Sequence, residues 1–318
     1  MTLNFALIGA AGYIAPRHMT AIKDTANQLV AATDPRDSVG VLDRYFLDTK
    51  FFSEIERFDR HLEKLRRGPE EDRVRFVTIC SPNYLHDAHI RLALRIGADA
   101  ICEKPLVINP WNLDALQVFE EEMGRRIYTV LQLRVHPELL KLREELQAQP
   151  KNRKREVVLT YVAARGGWYH GSWKGSEDRS GGLGTNIGIH FFDLLIWLFG
   201  SPKRCFVHLY GPKRMAGFLE LQEADVRWFL SVDSTDLPFS AQPGVKTTFR
   251  SITVDGKELE FSDGFGDLHT LVYKNTLAGS GFGIEQSRPS IELVYRIRTS
   301  KVEGRPDYLH PMLAGGRK

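Results

Sequence analysis

Glu103 and Lys104, in C-E-K-P-L at 102–106, form an acid–base pair at the end of an apolar run, and a proline fixes the exit of the chain. A lysine so placed can hydrogen-bond a substrate oxygen and stabilise negative charge developing on it. G-T-N-I-G-I-H-F-F-D (184–193) sets Asn186, His190 and Asp193 at i, i+4 and i+7, which is one face of a helix. His190 opens the oiliest run in the chain, F-F-D-L-L-I-W-L-F, whose Phe191, Leu195 and Leu198 lie on another face. Its imidazole is either a core group with satisfied hydrogen bonds or a general base facing a site, and a neutral ring near pH 7 suits the second role. No His, Cys or Asp set at ligand spacing accompanies it, so no metal is expected.

G-A-A-G-Y-I-A-P-R-H (9–18) is a degenerate G-x-G-x-x-G turn, with Gly9 and Gly12 kept and Ala11 and Ala15 as small substitutes. Between a strand and a helix, such a turn offers backbone N–H groups and the positive helix end to a phosphate. Asp34, about 20 residues on, ends the next strand; a carboxylate there binds the adenosine ribose and repels a 2′-phosphate, which selects NAD over NADP. The alternative is that Asp34 merely opens the D-P turn. C-S-P-N-Y-L-H (80–86) ends a further strand at the carboxyl edge of the sheet, where ligands of such folds bind.

The loop R-G-G-W-Y-H-G-S-W-K-G-S-E-D-R-S-G-G-L-G (165–184) holds seven glycines together with Arg165, Trp168, Tyr169, Trp173, Lys174 and Arg179. Arginine forks and lysine charges suit a diphosphate or carboxylate, and aromatic faces suit a uracil or a sugar. The competing reading is a mobile surface loop whose aromatics fold back on the domain.

The elements that must position these residues follow from periodicity. Over the first ~130 residues, short apolar runs (Asn4–Ile8, Leu29–Thr33, Arg75–Cys80, A-D-A-I-C, I-Y-T-V-L-Q-L) alternate with helical patterns, which predicts a doubly wound parallel sheet. From Arg134 onward the rhythm becomes that of an α+β domain with a mostly antiparallel open sheet. Residues 216–233 read as a hairpin, Asp255-Gly256 marks another, and helices are expected over Asn186–Phe199, Leu268–Leu277 and Pro289–Thr299. The expected division is a Rossmann domain over 1–133 and a substrate-binding and oligomerisation domain over 134–318; 318 residues exceed what one core usually supports. The tail P-M-L-A-G-G-R-K is expected to fray.

Composition narrows the class. Hydrophobic residues are 42%, charged residues 26% and net charge is +3, too small an excess to indicate nucleic acid. The basic run K-N-R-K-R (151–155) reads as a solvated turn. Phe191–Phe199 is half the length needed to span a bilayer, and no secretion signal opens the chain. Cys80, Cys102 and Cys205 have no metal spacing, which fits a reducing cytoplasm.

Taken together, the Gly-rich turn, S-P-N-x-x-H, E-K-P and G-x-H-x-x-D resemble the glucose–fructose oxidoreductase/inositol dehydrogenase/MocA family over nearly the whole chain. The resemblance implies NAD-dependent oxidation of a sugar or polyol hydroxyl, with Lys104 catalytic and His190 as acid/base. It implies cofactor contacts from Gly9, Ala11, Gly12, Tyr13, Ile14, Asp34, Ser81, Pro82, Asn83, His86, Glu103, Lys104 and Gln132. For substrate it implies Lys104, Arg165, Tyr169, Trp173, Lys174, Thr185, Asn186 and His190.

The family often has D-x-x-x-H where this chain has Asn186-x-x-x-His190, which shifts proton transfer from a carboxylate-assisted lysine toward His190. The wording of all four motifs is similar to the bacterial UDP-N-acetyl-2-amino-2-deoxy-D-glucuronate dehydrogenases, the WlbA/WbpB branch. Those enzymes oxidise the 3″-hydroxyl of a UDP-sugar acid during O-antigen synthesis, and some reoxidise bound NADH with 2-oxoglutarate. That resemblance implies a cytoplasmic homodimer or homotetramer. Oxidation of a free sugar or polyol, a NAD-dependent glycosidase, and a non-catalytic nucleotide-binding regulator stand as alternatives.

Overall fold

A computed structural model describes residues 2–150, 153–240, 247–304 and 306–314. Lys151 and Asn152 of the basic run and residues 315–318 of the tail lie outside the described residues.

In the first unit, β1 (Asn4–Ile8), β2 (Gln28–Thr33), β3 (Lys50–Phe52), β4 (Val74–Ile79), β5 (Asp99–Cys102) and β6 (Ile127–Thr129) form a sheet ordered β3-β2-β1-β4-β5-β6, with every pair parallel. The order reverses at β1, so the carboxyl ends of β1 and β4 flank the crevice where such sheets take ligands. Helices α1 (Ala15–Asp24), α2 (Ile55–Arg67), α3 (His86–Arg95) and α4 (Trp111–Met123) connect these strands. Gly124 ends α4 in a left-handed conformation, φ 58°, which glycine adopts without strain. The strand cores are almost wholly buried because parallel strands are covered on both faces: Phe5, Ala6 and Leu7 are 0% exposed.

The second unit opens with α5 (Pro137–Gln147). Its sheet is ordered β12-β11-β7-β10-β9-β8, built from β7 (Arg155–Ala163), β8 (Pro202–Tyr210), β9 (Arg214–Leu221), β10 (Ala224–Ser231), β11 (Thr248–Val254) and β12 (Lys257–Glu260). The β9–β10 and β11–β12 hairpins appear where the alternation placed them, and Asp255 and Gly256 turn the second with φ of 49° and 86°. The sheet is mostly antiparallel, as expected; β7 and β10 pair parallel, connected through α6 (Gly167–Gly171), α7 (Glu177–Ser180), α8 (Ile189–Phe199), β8 and β9. The described part of the basic run is at the surface, with Arg153 and Lys154 exposed, and its charges are paired. Arg153 and Arg155 pair with Asp255 at 3.3 and 2.9 Å, and Lys154 bonds Glu220 and Asp225.

The domain division also departs from the expectation. Packing groups residues 1–132 with 266–288, and residues 133–265 with 289–318. The segment 266–288 carries α9 (Leu268–Leu277), whose Tyr273 is fully buried and stacks on Phe5 of β1 at 5.9 Å. A local pattern cannot show this return, since α9 looks like any other half-buried helix. The helix expected at Pro289–Thr299 is longer: α10 runs Ile284–Thr299 with Pro289 inside it. Among the described residues the last helix is α11 (Pro311–Ala314).

Turns of helix run from Glu177 to Phe199, long and apolar enough by length and composition to cross a membrane, but 78% of the most apolar stretch is buried in the fold. It is a core helix. Phe192 meets Trp228 edge-on at 5.1 Å, and a Cβ at Gly188 would come within 2.8 Å of the Leu230 and Phe192 side chains and push them aside. Asp193 is 2% exposed and not on a polar outer face. It takes a two-pronged bond from Arg134, at 2.9 and 2.7 Å, and a further bond from Ser290. Burial pushes its carboxyl up and the Arg134 guanidinium opposes that. Arg134→Leu should therefore strand a buried carboxylate and cost about 3–5 kcal/mol. Thermal or urea unfolding should show that loss, and an unchanged midpoint would refute it.

Candidate active site

The first unit's features gather at the carboxyl ends of its strands. Gly9 has φ 91°, and a Cβ there would lie 2.7–2.9 Å from the Cys80 and Ser81 backbone, so the turn after β1 can touch the end of β4 only with glycine. Its N–H and that of Ala10 donate to Thr33 O at 2.8 and 3.2 Å, tying the turn to β2. Helix α1 starts at once, with no side-chain cap. Tyr13 is 83% exposed beside it.

Asp34, 8% exposed, uses one carboxylate oxygen for the Ala11 N–H (3.0 Å) and the other for the Arg36 N–H (2.9 Å). The D-P turn and the ribose reading are thus compatible, since each oxygen keeps a lone pair. Here the Ala11 N–H is taken by Asp34, which holds the Gly-rich turn against the end of β2.

Two more expected cofactor ligands prove to be internal. His86 is 0% exposed, with Nδ1 2.7 Å from Pro105 O and Nε2 2.9 Å from Ser81 O. It ties the segment after β4 to the segment after β5, so its ring shapes the crevice without reaching into it; burial holds its pKa below the ordinary value. Glu103 is 7% exposed, and one oxygen faces His18 Nε2 at 3.0 Å and His269 Nε2 at 3.1 Å. Burial pushes that carboxyl up, but the hydrogen bonds from the two histidines hold it well below the usual carboxylate range. These three side chains place a carboxylate and two imidazoles within 4.8 Å of one another. The motif analysis missed His18 and His269, and no sequence spacing could have paired residues so far apart.

Lys104 is half-buried, followed by a cis bond to Pro105. Ser81 and Asn83 are buried, and Ser81 Oγ lies 2.8 Å from His89 Nδ1. Gln132 Oε1 is buried with no partner, an acceptor fit for an amide N–H such as that of a nicotinamide.

The second unit assembles the other candidates. The loop after β7 is folded: Ser172 Oγ accepts from the Lys174 N–H, Lys174 Nζ sits 4.1 Å over the Trp173 ring, and Tyr169 is 3% exposed. Asn186 Nδ2 donates to the Tyr169 hydroxyl at 3.2 Å, from the π-helical turn Gly184–Gly188 that leads into α8. Arg165 Nε and Thr185 Oγ1 are buried without partners, which is how groups awaiting a polar ligand look. Trp168 is exposed, and His190 is half-buried with its ring edge-on to Phe191 at 6.5 Å. His190 is therefore not sealed in the core.

Residues 3–131 match the GFO/IDH/MocA oxidoreductase profile for the NAD-binding Rossmann fold, and residues 155–257 match its C-terminal alpha/beta domain. The chain belongs to this oxidoreductase family. The first unit is its NAD-binding domain, and the protein is a NAD-dependent dehydrogenase.

Among solved structures, the oxidoreductase is similar to the WlbA (WbpB) dehydrogenase of Thermus thermophilus, with 51% identity and a TM-score of 0.92 over 98% of this chain and 99% of that one. That protein has been solved with NAD and alpha-ketoglutarate and with NAD and UDP-GlcNAcA. The WlbA dehydrogenase of Bordetella pertussis matches at TM-score 0.78 and 17% identity, over 93% of this chain and 95% of that one, a likeness of fold. The Escherichia coli D-glucoside 3-dehydrogenase is 29% identical over 132 residues, 40% of this chain and 36% of the relative. The match thus spans about a third of that curated relative.

Two outcomes follow. Asp34→Ala should weaken NAD+ binding by about tenfold or more, the worth of a hydrogen bond to a charged group, and should narrow the preference over NADP+. Fluorescence titration with both dinucleotides measures it, and unchanged affinities would remove Asp34 from the site. The second concerns pH. Burial, with a smaller contribution from the neighbouring His86 ring, lowers the His89 pKa to about 4. An unfolded histidine near 6.5 takes up protons that the folded one refuses, so stability is full above about pH 6.5 and falls as pH drops toward 4. His89→Gln should flatten the fall of Tm between pH 6.5 and 4.5; a slope equal to wild type would show that His89 is not its source.

Proposed function

We propose that the protein oxidises the 3-hydroxyl of UDP-GlcNAcA, UDP-N-acetyl-2-amino-2-deoxy-D-glucuronate, to the 3-keto sugar with NAD+. The supporting observation is full-length likeness at 51% identity to a dehydrogenase solved with both molecules. Arg165 with its unpaired buried Nε, and the Lys174–Trp173 pair, suit an anionic nucleotide sugar. A bound NAD+ would accept hydride from C3. Gly9 and Gly12, with Tyr13, Ile14 and Asp34, hold the dinucleotide, while Ser81, Pro82 and Asn83 line its nicotinamide half and Gln132 takes the carboxamide.

His190 removes the hydroxyl proton as the C–H bond breaks, and Lys104 hydrogen-bonds the oxygen as it gains negative charge. Asn186 occupies the place of the family's usual aspartate and, bonded to Tyr169, adds no charge there, which leaves the proton to His190. Thr185 and Tyr169 position the sugar. We assign the protein to a cytoplasmic homo-oligomer in O-antigen sugar synthesis. The alpha-ketoglutarate complex of the Thermus relative supports reoxidation of NADH by 2-oxoglutarate. The partial likeness to a D-glucoside 3-dehydrogenase supports a second reading, oxidation of another glucoside at the same carbon.

The test mixes purified protein with NAD+ and a panel of UDP-sugars, UDP-sugar acids and free glucosides, with and without 2-oxoglutarate. NADH absorbance and product mass are followed. A 3-keto product is expected from UDP-GlcNAcA, and its absence while a glucoside turns over would hand the assignment to the second reading. His190→Ala and Lys104→Met should each lower kcat by about 10²–10⁴ while the substrate still binds.

A further inference from the structure

Glu103 sits where three donors converge. His18 Nε2 and His269 Nε2 face Oε1 at 3.0 and 3.1 Å, and the Lys104 backbone N–H donates to Oε2 at 3.3 Å. The chain of bonds continues inward: His18 Nδ1 lies 2.9 Å from the Tyr273 hydroxyl, which lies 2.7 Å from Thr78 Oγ1 on β4. Every member is buried, and Thr78, His18 and Tyr273 are 0% exposed. One arrangement satisfies these contacts: both histidines donate from Nε2–H, Tyr273 donates to His18 Nδ1, Thr78 donates to Tyr273, and Glu103 is ionised. Only a carboxylate is acceptor-only on both oxygens. A single oxygen shared by two imidazole donors also accounts for the closeness of the three groups.

We propose that Glu103, His18 and His269 are positioning residues, a buried clamp that fixes the backbone of Lys104 and so aims its amine for the dehydrogenation. The proposal rests on the catalytic role given to Lys104 above. Its parts come from α1, from the end of β5 and from α9, so the returning segment 266–288 is needed to complete the clamp. Burying a charged network so close to a reactive lysine costs desolvation that an apolar core would not, which fits a geometric task better than a stabilising one.

The test uses the full-length protein in five variants. Glu103→Gln keeps the shape, but its amide must turn a donor toward either the Lys104 N–H or the two histidines. His269→Leu removes one donor, and His269→Gln restores one. Lys104→Met sets the rate without the lysine. A misplacement of about 1 Å at a reacting group can cost on the order of a hundredfold in rate. The clamp therefore requires kcat to fall at least about tenfold in Glu103→Gln and His269→Leu, with the KM for NAD+ within about twofold of wild type. His269→Gln should recover much of the rate.

A purely structural network would instead lower Tm and leave kcat of the folded fraction alone, and that result overturns the proposal. If Lys104→Met keeps wild-type kcat, it is the catalytic reading that fails. A second readout is independent of turnover. In protein whose lysines carry ¹³C-methyl groups, the Lys104 resonance, assigned by its loss in Lys104→Arg, should shift in Glu103→Gln and His269→Leu and return in His269→Gln. A resonance unmoved in all three refutes the clamp. So would stoichiometric zinc found by elemental analysis in wild type and lost in His269→Gln, since the residues would then be metal ligands.

Discussion

The close approach of the turn after β1 to the end of β4 is the constraint on which the first unit depends. With the Gly9 Cβ position only 2.7 Å from the Cys80 carbonyl carbon, the two strand ends are locked edge to edge. The lock propagates along the carboxyl edge. Cys80 N–H bonds Ile8 O at 2.8 Å, Glu103 N–H bonds Ile79 O at 3.0 Å and Val130 N–H bonds Cys102 O at 2.9 Å. Each bond places one functional segment against the next: the Gly-rich turn, S-P-N, E-K-P, and the approach to Gln132. His86 then sits between the middle two, its ring nitrogens 2.9 Å from Ser81 O and 2.7 Å from Pro105 O, with an N–H to give to one of them. A parallel sheet puts every strand's exit on one side, so one glycine aligns four motifs.

The second unit solves a different problem, how to present a polar ring at the start of an apolar helix. The face that carries Asn186, His190 and Asp193 is real, but it turns inward at both ends. Asn186 is held by Tyr169, Asp193 by Arg134 and Ser290, and His190 alone stays half-buried. The polar pairs anchor the helix on either side of His190, one turn away in each direction. A histidine fixed this way keeps its orientation without itself being enclosed, the condition a general base needs.

What was legible in the sequence is what is local. The Gly9–Gly12 turn, Asp34 after β2, the Asp255-Gly256 hairpin and the amphipathic α2 each declare themselves within a dozen residues, because strand and helix periodicities and turn chemistry act at that range. What was not legible needs tertiary pairing. His86 and Glu103 stand inside motifs, and motif membership suggests ligand contact; only the fold reveals that one is a staple and the other a hub. His18 passed as the end of a turn and His269 as an ordinary helix residue. The parallel β7–β10 pair and the return of α9 were hidden for the same reason, since hydrophobic alternation fixes a strand's buried face and not its neighbour.

The protonation states that the fold imposes bind these observations together. Burial lowers the pKa of His18, His86 and His89, while the hydrogen bonds to Glu103 keep that carboxyl ionised. A neutral imidazole is both donor and acceptor, so His18 can pass the direction set by Thr78 and Tyr273 to Glu103; a doubly protonated ring would face the Tyr273 oxygen with a second donor and force that hydroxyl to turn. The same low-dielectric surroundings that keep the rings neutral strengthen the bonds to the single buried carboxylate. One ionised carboxyl is therefore held beside the Lys104 backbone by the His18 and His269 rings. Acidification would act on the whole set, since the rings and the carboxylate all gain protons more readily once unfolded.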